Sequence, residues 1–148
     1  MIRKILLTLT GGILTMPACR PTQVPVVVGH LADVESHLRR LAAQSHDAFL
    51  IIQAGADDAF LQLKFSADGF ELDHPLVTPA QRARASEVRA FCSERQLRLQ
   101  ENHSTDGTLF LDCYLPADPA IAAQHVTAAL ITLLGATEAT ELRFARAA

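Results

Sequence analysis

Three cysteines carry the most reactive side chains of this sequence: Cys19, Cys92 and Cys113. Cys92 falls on the predicted inner face of a helix, and Cys113 falls on the inward row of a predicted strand. Two such thiols form either one disulfide, in an exported protein, or a pair of small buried hydrophobic groups. A catalytic thiol needs an accessible, electropositive setting, which neither position provides. The sequence therefore predicts no catalytic cysteine and leaves the disulfide open.

The histidines and carboxylates do not form a ligand or catalytic pattern. None of the six histidines has a second ligand at the spacing that metal sites use. Asp57 and Asp58 fall in a predicted turn, where Asp accepts from backbone amides, and Asp73 lies on the polar row of a predicted strand. Gly11-Gly12 lacks the Lys and Ser/Thr of a phosphate-binding loop. We predict no metal, no cofactor and no enzymatic activity, with a hydrolase that uses an unmarked site as an alternative.

The N-terminal segment has the parts of a secretory signal peptide. Arg3 and Lys4 precede an uncharged run, Ile5–Met16, which is too short for a bilayer span of roughly 20 residues. The sequence MPAC that follows resembles the lipobox of bacterial lipoproteins, in which the cysteine is lipidated and becomes the first mature residue. We predict a signal peptide over residues 1–18, lipidation at Cys19 and a place in the cell envelope. The alternatives are a buried first strand or a cytoplasmic leader.

The elements that position these side chains form one predicted α+β domain over residues 30–148. Helical spacing begins at Leu31, three strands follow, and Thr78 caps the next helix. Two more strands and an apolar helix from Pro119 complete the order α-βββ-α-ββ-α. This order predicts an antiparallel sheet of five or six strands with helices packed on one face, and residues 141–144 could add an edge strand.

Residues 19–29 connect the predicted signal peptide to this domain. Pro21 and Pro25 flank the start of a valine run, and each proline removes a backbone donor and restricts φ. The segment is therefore predicted to be a tether or at most an edge strand.

Composition excludes some classes of partner. The formal net charge is −3, the isoelectric point is near 6.0, and tryptophan is absent. These values argue against nonspecific binding to nucleic acid or to an anionic membrane surface. We predict no nucleic-acid partner and contact with a membrane only through a lipid anchor.

Five residues are the predicted partner-binding set. Aromatic side chains stand among arginine and amide groups on the polar rows of the strands, a mixture that protein interfaces favour. The helix from Pro119 has no charge before residue 138 and needs cover on more than one side. We predict binding of a protein partner, or homodimerisation, through Phe60, Phe110, Tyr114, Arg98 and Ile131. The alternative is that the aromatic residues cover a second core layer or are scattered surface residues.

The element order and several segments resemble the YbjN/type III secretion chaperone-like family. The matching segments are the strands FLII and FLQLKF, then GFELDHPL before the TPAQRAR helix, and FLDCYLP before the DPAIAAQHV helix. The resemblance implies a non-enzymatic domain that binds a polypeptide, often as a homodimer. It also implies an alternative to export, a cytosolic chaperone-like protein whose leader is not processed.

Overall fold

A computed structural model of the chain describes residues 8–10, 13–15, 23–44 and 47–147. These residues form an α+β fold in which helices pack on one face of an antiparallel sheet, which confirms the predicted class. Cys19, residues 20–22 of the predicted tether and most of the predicted signal peptide lie outside the described residues. Among the described residues, no helix is long and apolar enough to cross a membrane.

Seven strands form the main sheet, and two three-residue strands extend it at one end. In chain order the strands are β1 (Thr8–Thr10), β2 (Ile13–Thr15), β3 (Gln23–Gly29), β4 (Phe49–Gln53), β5 (Phe60–Ser66), β6 (Gly69–Pro75), β7 (Arg98–His103), β8 (Leu109–Leu115) and β9 (Leu142–Ala147). Their spatial order is β1-β2-β3-β9-β4-β5-β6-β8-β7, and every neighbouring pair is antiparallel. The predicted count of five or six was too low, because β3 and β9 both join the sheet.

The last strand lies inside the sheet, whereas the sequence had suggested an edge strand. β9 pairs with β4, where Ala145 faces Ile51, and on its other side with β3, where Phe144 faces Val27. The segment before residue 30 was predicted to be a tether or at most an edge strand, but residues 23–29 form β3, which has β2 on one side and β9 on the other. The place of β9 left no local signal, because β3 and β4 lie far from it along the chain.

The helical elements are a 3₁₀ turn (Leu31–Asp33), α1 (Val34–Ala42), α2 (Pro79–Ala83), α3 (Ala85–Glu94) and α4 (Pro119–Leu134). The Thr78 cap is confirmed, since its hydroxyl accepts from the Gln81 amide while the Gln81 side chain accepts from the Thr78 amide, both at 3.1 Å. Asp118 caps α4 in a similar way, and Gly135 ends it in the left-handed region at φ 70°. The predicted helix after Thr78 is divided in two, α2 and α3.

One core fills the space between the helices and the sheet. α1 packs on β4, β5 and α4, and α3 packs on β7, β8 and α4. A fully buried leucine, isoleucine or phenylalanine side chain contributes about 1.5–3 kcal/mol relative to the same side chain exposed to solvent. The largest in this layer are Leu38, Leu41, Leu50, Ile52, Leu61 and Leu63, with Phe70 and Phe144.

Two histidines are buried in this layer, whereas the sequence predicted polar loop and helix-surface positions. The His37 ring stacks on Phe144 with 4.0 Å between ring centroids. His74 is 2% exposed, and neither of its ring nitrogens has a hydrogen-bond partner among the described side chains. Burial, with the nearby Arg84 charge, lowers the pKa of His74 to about 4. His37 shifts in the same direction, because burial and the charges of Arg40 and Arg146 lower its pKa.

These shifts predict loss of stability in acid. The unfolded chain binds a proton at His74 near pH 6.5 and the folded chain only near pH 4, so the free energy of unfolding falls as pH drops between those values. The contribution of His74 is at most about 3 kcal/mol. Urea titrations from pH 7.5 to 4 measure this fall.

The matched variants are His74→Leu, which should flatten the slope, and His103→Leu at an exposed strand end, which should leave it unchanged. Equal slopes in all three proteins would contradict the assignment to His74.

Candidate functional site

An apolar groove lies between α1 and α4 on the outer side of the helix layer. Its volume is about 510 Å³, and it continues past Leu31 and Ile131 towards His30 and Glu138. We call it the α1–α4 groove. It is lined by Leu31, Ala32, Glu35, Ala120, Ala123, Gln124, Thr127, Ala128 and Ile131.

Small side chains open the groove, and a tight turn holds one wall of it. The positions of α4 that face it at helical spacing are mainly alanine and threonine, so the helix leaves room beside α1. On the other wall, the His30 amide donates to Asp33 Oδ2 at 2.8 Å and thereby fixes the 3₁₀ turn. A Cβ at position 29 would lie 2.7 Å from that same oxygen, so a side chain there would displace the Asp33 carboxylate from this contact.

Ile131 is the large apolar residue of the groove that remains in contact with solvent. Its side chain is 47% exposed, although α4 buries Val126, Leu130 and Leu133 in the core. Ile121, which is 43% exposed on the same helix, does not line the groove. Ile131 is therefore an exposed apolar position of α4 that lines the groove, and its contact with a partner stays a prediction.

The charge at the groove is negative. Glu35 lies on its α1 wall and pairs with Arg39 one turn later, with 2.5 Å between Oε1 and Nη2. Glu138 stands at the far end and has no ion-pair partner among the described residues. α4 itself carries no charged side chain. An occupant with apolar side chains in the groove and basic groups at its ends would match this pattern.

Two of the predicted partner-binding residues are buried, which corrects that part of the prediction. Phe60 is 4% exposed and Phe110 is 0% exposed, on the face of the sheet opposite the helices. The alternative reading, a second core layer, describes them better. The error arose because a sheet with one solvated face was assumed, whereas this sheet is withdrawn from solvent on both faces along its central strands.

Tyr114 and Arg98 are accessible but lie far from Ile131 in the architecture. They are cross-strand partners on β8 and β7, and the guanidinium of Arg98 stacks 4.0 Å from the ring centroid of Tyr114. The Tyr114 hydroxyl donates to Gln100 at 3.2 Å. This pair faces away from the helices, whereas Ile131 is in the helix layer. The five predicted residues therefore do not form one surface.

A buried polar cluster on the second sheet face was missed by the sequence analysis. The register aligns Gln62 with Asp73 and Asp73 with Asp112 across three neighbouring strands. Lys64, in the next row, lies 3.2 Å from Asp73 Oδ2, and both side chains are buried. Asn102 donates to Asp112. Polar residues at alternating positions of β5, β6 and β8 were the available signal, but register was needed to bring them together.

The cluster contains the described side chains that come nearest to a cation site. Ligand oxygens of Glu71, Asp73 and Asp112 lie within 4.8 Å of one another. Carboxylate oxygens are the ligands that Ca²⁺ and Mg²⁺ prefer. Here, however, the Lys64 ammonium already supplies a positive charge beside Asp73, so the described geometry is that of an internal ion pair.

Gln62 is the unusual member of the cluster. It is 0% exposed, and neither its amide oxygen nor its amide nitrogen has a hydrogen-bond partner among the residues that the structure describes. A buried amide without partners loses its hydration without replacement, which costs about 1–3 kcal/mol. Gln62 therefore contributes shape to this layer and no polar contact.

No protein-family model matches this chain, and comparisons with curated proteins and with solved structures find no similar protein. The argument for function therefore depends on the groove and on the chemistry of the described residues.

The ion pair predicts a large difference between two neighbouring substitutions on β5. Lys64→Met should lower the free energy of unfolding by about 3–5 kcal/mol, because it removes a buried cation from beside Asp73. Gln62→Met, on the same strand and face, should be neutral or stabilising, because the amide that it removes makes no hydrogen bond. Denaturant unfolding of both variants at pH 7 measures the difference. Equal losses would show that the Lys64 charge contributes little beyond its volume.

Proposed function

We propose that this chain is a non-enzymatic domain that binds a partner polypeptide in the α1–α4 groove. The observation that carries the proposal is the exposed Ile131 beside an apolar groove of about 510 Å³. Amphipathic helices bind proteins by laying an apolar stripe into grooves of this kind. The resemblance to the YbjN/type III secretion chaperone-like family supports the same class of function.

The occupant that we propose is a helical segment with an apolar stripe and basic residues at its ends. The apolar lining would take the stripe, and Glu35 and Glu138 at the groove would favour the basic ends. The formal net charge of −3 favours approach of a basic partner over an acidic one. A second copy of this chain, the other predicted partner, would bring the same acidic groups together.

We also propose that the chain is exported and anchored through Cys19. The support is the basic start, the short apolar run and the MPAC sequence. Cleavage before Cys19 would remove β1 and β2 and leave β3 as the edge of the seven-stranded sheet. The alternative is a cytosolic chaperone-like protein in which the hairpin of β1 and β2 stays paired with β3.

Substitution at the groove should abolish binding without unfolding the domain. The probe is a labelled synthetic peptide of about 15 residues with leucines on one helical face and lysines at both ends. Fluorescence anisotropy should show binding to the wild type and at least about tenfold weaker binding to Ile131→Glu. Because Ile131 is half exposed, the variant should lose less than about 1 kcal/mol of stability.

Ile121→Glu is the matched control, since it changes an equally exposed isoleucine of α4 outside the groove. It should bind the peptide like the wild type, and a peptide with glutamates at its ends should bind more weakly to all three proteins. Equal binding by both variants would reject the groove. A wild type that dimerises in light scattering, and an Ile131→Glu monomer, would make a second copy the occupant.

Fractionation of cells that express the native gene tests export. The wild type should appear in the membrane fraction with a mass that shows loss of residues 1–18 and gain of acyl chains, since several chains are needed for stable anchoring. Cys19→Ala should be mislocalised. A soluble wild type of unprocessed mass would contradict export and favour the cytosolic alternative, without bearing on the groove.

A further inference from the structure

Two buried thiols face each other at the contact between α3 and β8. The sulfur atoms of Cys92 and Cys113 are 2.7 Å apart, and each residue is 1% exposed. Nonbonded heavy atoms ordinarily lie about 3.5–4.0 Å apart, so these sulfurs are closer than packing alone would place them. Both cysteines are free thiols in this structure, and a hydrogen bond joins them.

The two elements that carry the thiols are held from several sides. Cys113 lies between Leu72 of β6 and Leu99 of β7 in the sheet register, on the face that the helices cover. Cys92 follows Val88 and Phe91 on the buried side of α3. A disulfide places its sulfurs about 2.05 Å apart, so forming the bond here would bring these two sulfurs closer by less than about 1 Å.

We propose that Cys92 and Cys113 form a disulfide in the native protein, which ties α3 to β8. The bond closes a loop over residues 92–113 that contains all of β7 and its turn to β8. Because β7 is the terminal strand of the sheet and pairs only with β8 among the described strands, the loop secures the element with the fewest partners. Closing the loop restricts the unfolded chain and so stabilises the fold.

The bond forms by thiol–disulfide exchange with a small disulfide such as oxidised glutathione. The Cys92 thiol loses its proton, and its sulfur attacks one sulfur of the donor, whose S–S bond breaks and releases a first thiolate that takes up the proton. The Cys113 sulfur then attacks Cys92 Sγ, and the second donor thiol leaves with the Cys113 proton. Two cysteine thiols are oxidised to one disulfide, and the donor disulfide is reduced to two thiols.

The two thiols differ in their environment in the finished fold. The hydrogen bond between them lowers the pKa of Cys92. The same hydrogen bond, together with burial, raises the pKa of Cys113. Burial of both sulfurs keeps oxidants out of the finished fold, so exchange takes place while the chain is folding.

Disulfides persist in oxidising compartments, so this inference agrees with the proposed export. Formation of the bond in a purified sample depends on the geometry of the fold and not on export. A disulfide found in a chain that stays in the cytosol would leave this inference standing and refute the export proposal.

The test is oxidative refolding of the full chain in a mixture of reduced and oxidised glutathione. Free thiols are then alkylated in denaturant, and the protein is digested without reductant. Trypsin cleavage after Arg89, Arg95 and Arg98 puts Cys92 and Cys113 on separate peptides, both distinct from the Cys19 peptide. Mass spectrometry should find the Cys92 and Cys113 peptides joined. Alkylation of both residues in the folded sample, or a bond from either of them to Cys19, would overturn the proposal.

Thermal unfolding provides the second measurement. The oxidised wild type should melt about 6–12 °C above wild type that was unfolded and refolded in dithiothreitol, as expected for a loop of this length in a domain of this size. Cys92→Ser should abolish the difference, and Cys19→Ser is the matched control that should keep it. An identical melting temperature with and without reductant in the wild type would reject a stabilising bond. The peptide mapping uses the wild type, so it decides the connectivity even where a serine variant fails to fold.

Discussion

The alternation of side chains along β5, β6 and β8 is the constraint on which the rest of the structure depends. A strand sends every second residue to the opposite face, so Leu61 and Leu63 can enter the helix-covered core only if Gln62 and Lys64 enter the other face. That second face is also withdrawn from solvent. Its buried charges are therefore stabilised where the register brings opposite charges near each other, as it does for Lys64 and Asp73.

Local chemistry made part of the fold predictable. The Thr78 cap depends on residues within three positions, and the Gly135 end of α4 depends on one backbone conformation, so both could be recognised without tertiary information. The place of β9 could not, because its neighbours β3 and β4 are separated from it by most of the chain. The residue pattern identifies a segment as a strand, but the strands that it pairs with depend on the whole sheet.

The candidate sites also divide into features that local pattern predicts and features that only the tertiary structure determines. Phe60 and Phe110 were assigned to a partner surface because alternation put them on the polar side of their strands, and the assignment of side was right. Burial of that side is a tertiary fact that alternation does not contain, and it makes them core residues. Ile131 was predicted from the opposite argument: a helix that is apolar all round needs more cover than one domain of this size provides. Ile131 is 47% exposed in the structure, while its contact with a partner stays a prediction.

The groove and the polar cluster lie on opposite sides of the sheet, and substitutions in them should have different effects. One wall of the α1–α4 groove is α1, which packs on β4 and β5, while the Lys64–Asp73 pair joins β5 to β6 on the opposite face of the sheet. Core packing is dense and transmits strain, so a change that weakens the ion pair is felt by the residues that support α1 and α4. Ile131 is half exposed and contributes little to that support. A substitution at Ile131 therefore reports on contact with a partner, whereas one at Lys64 reports on the fold that holds the groove open.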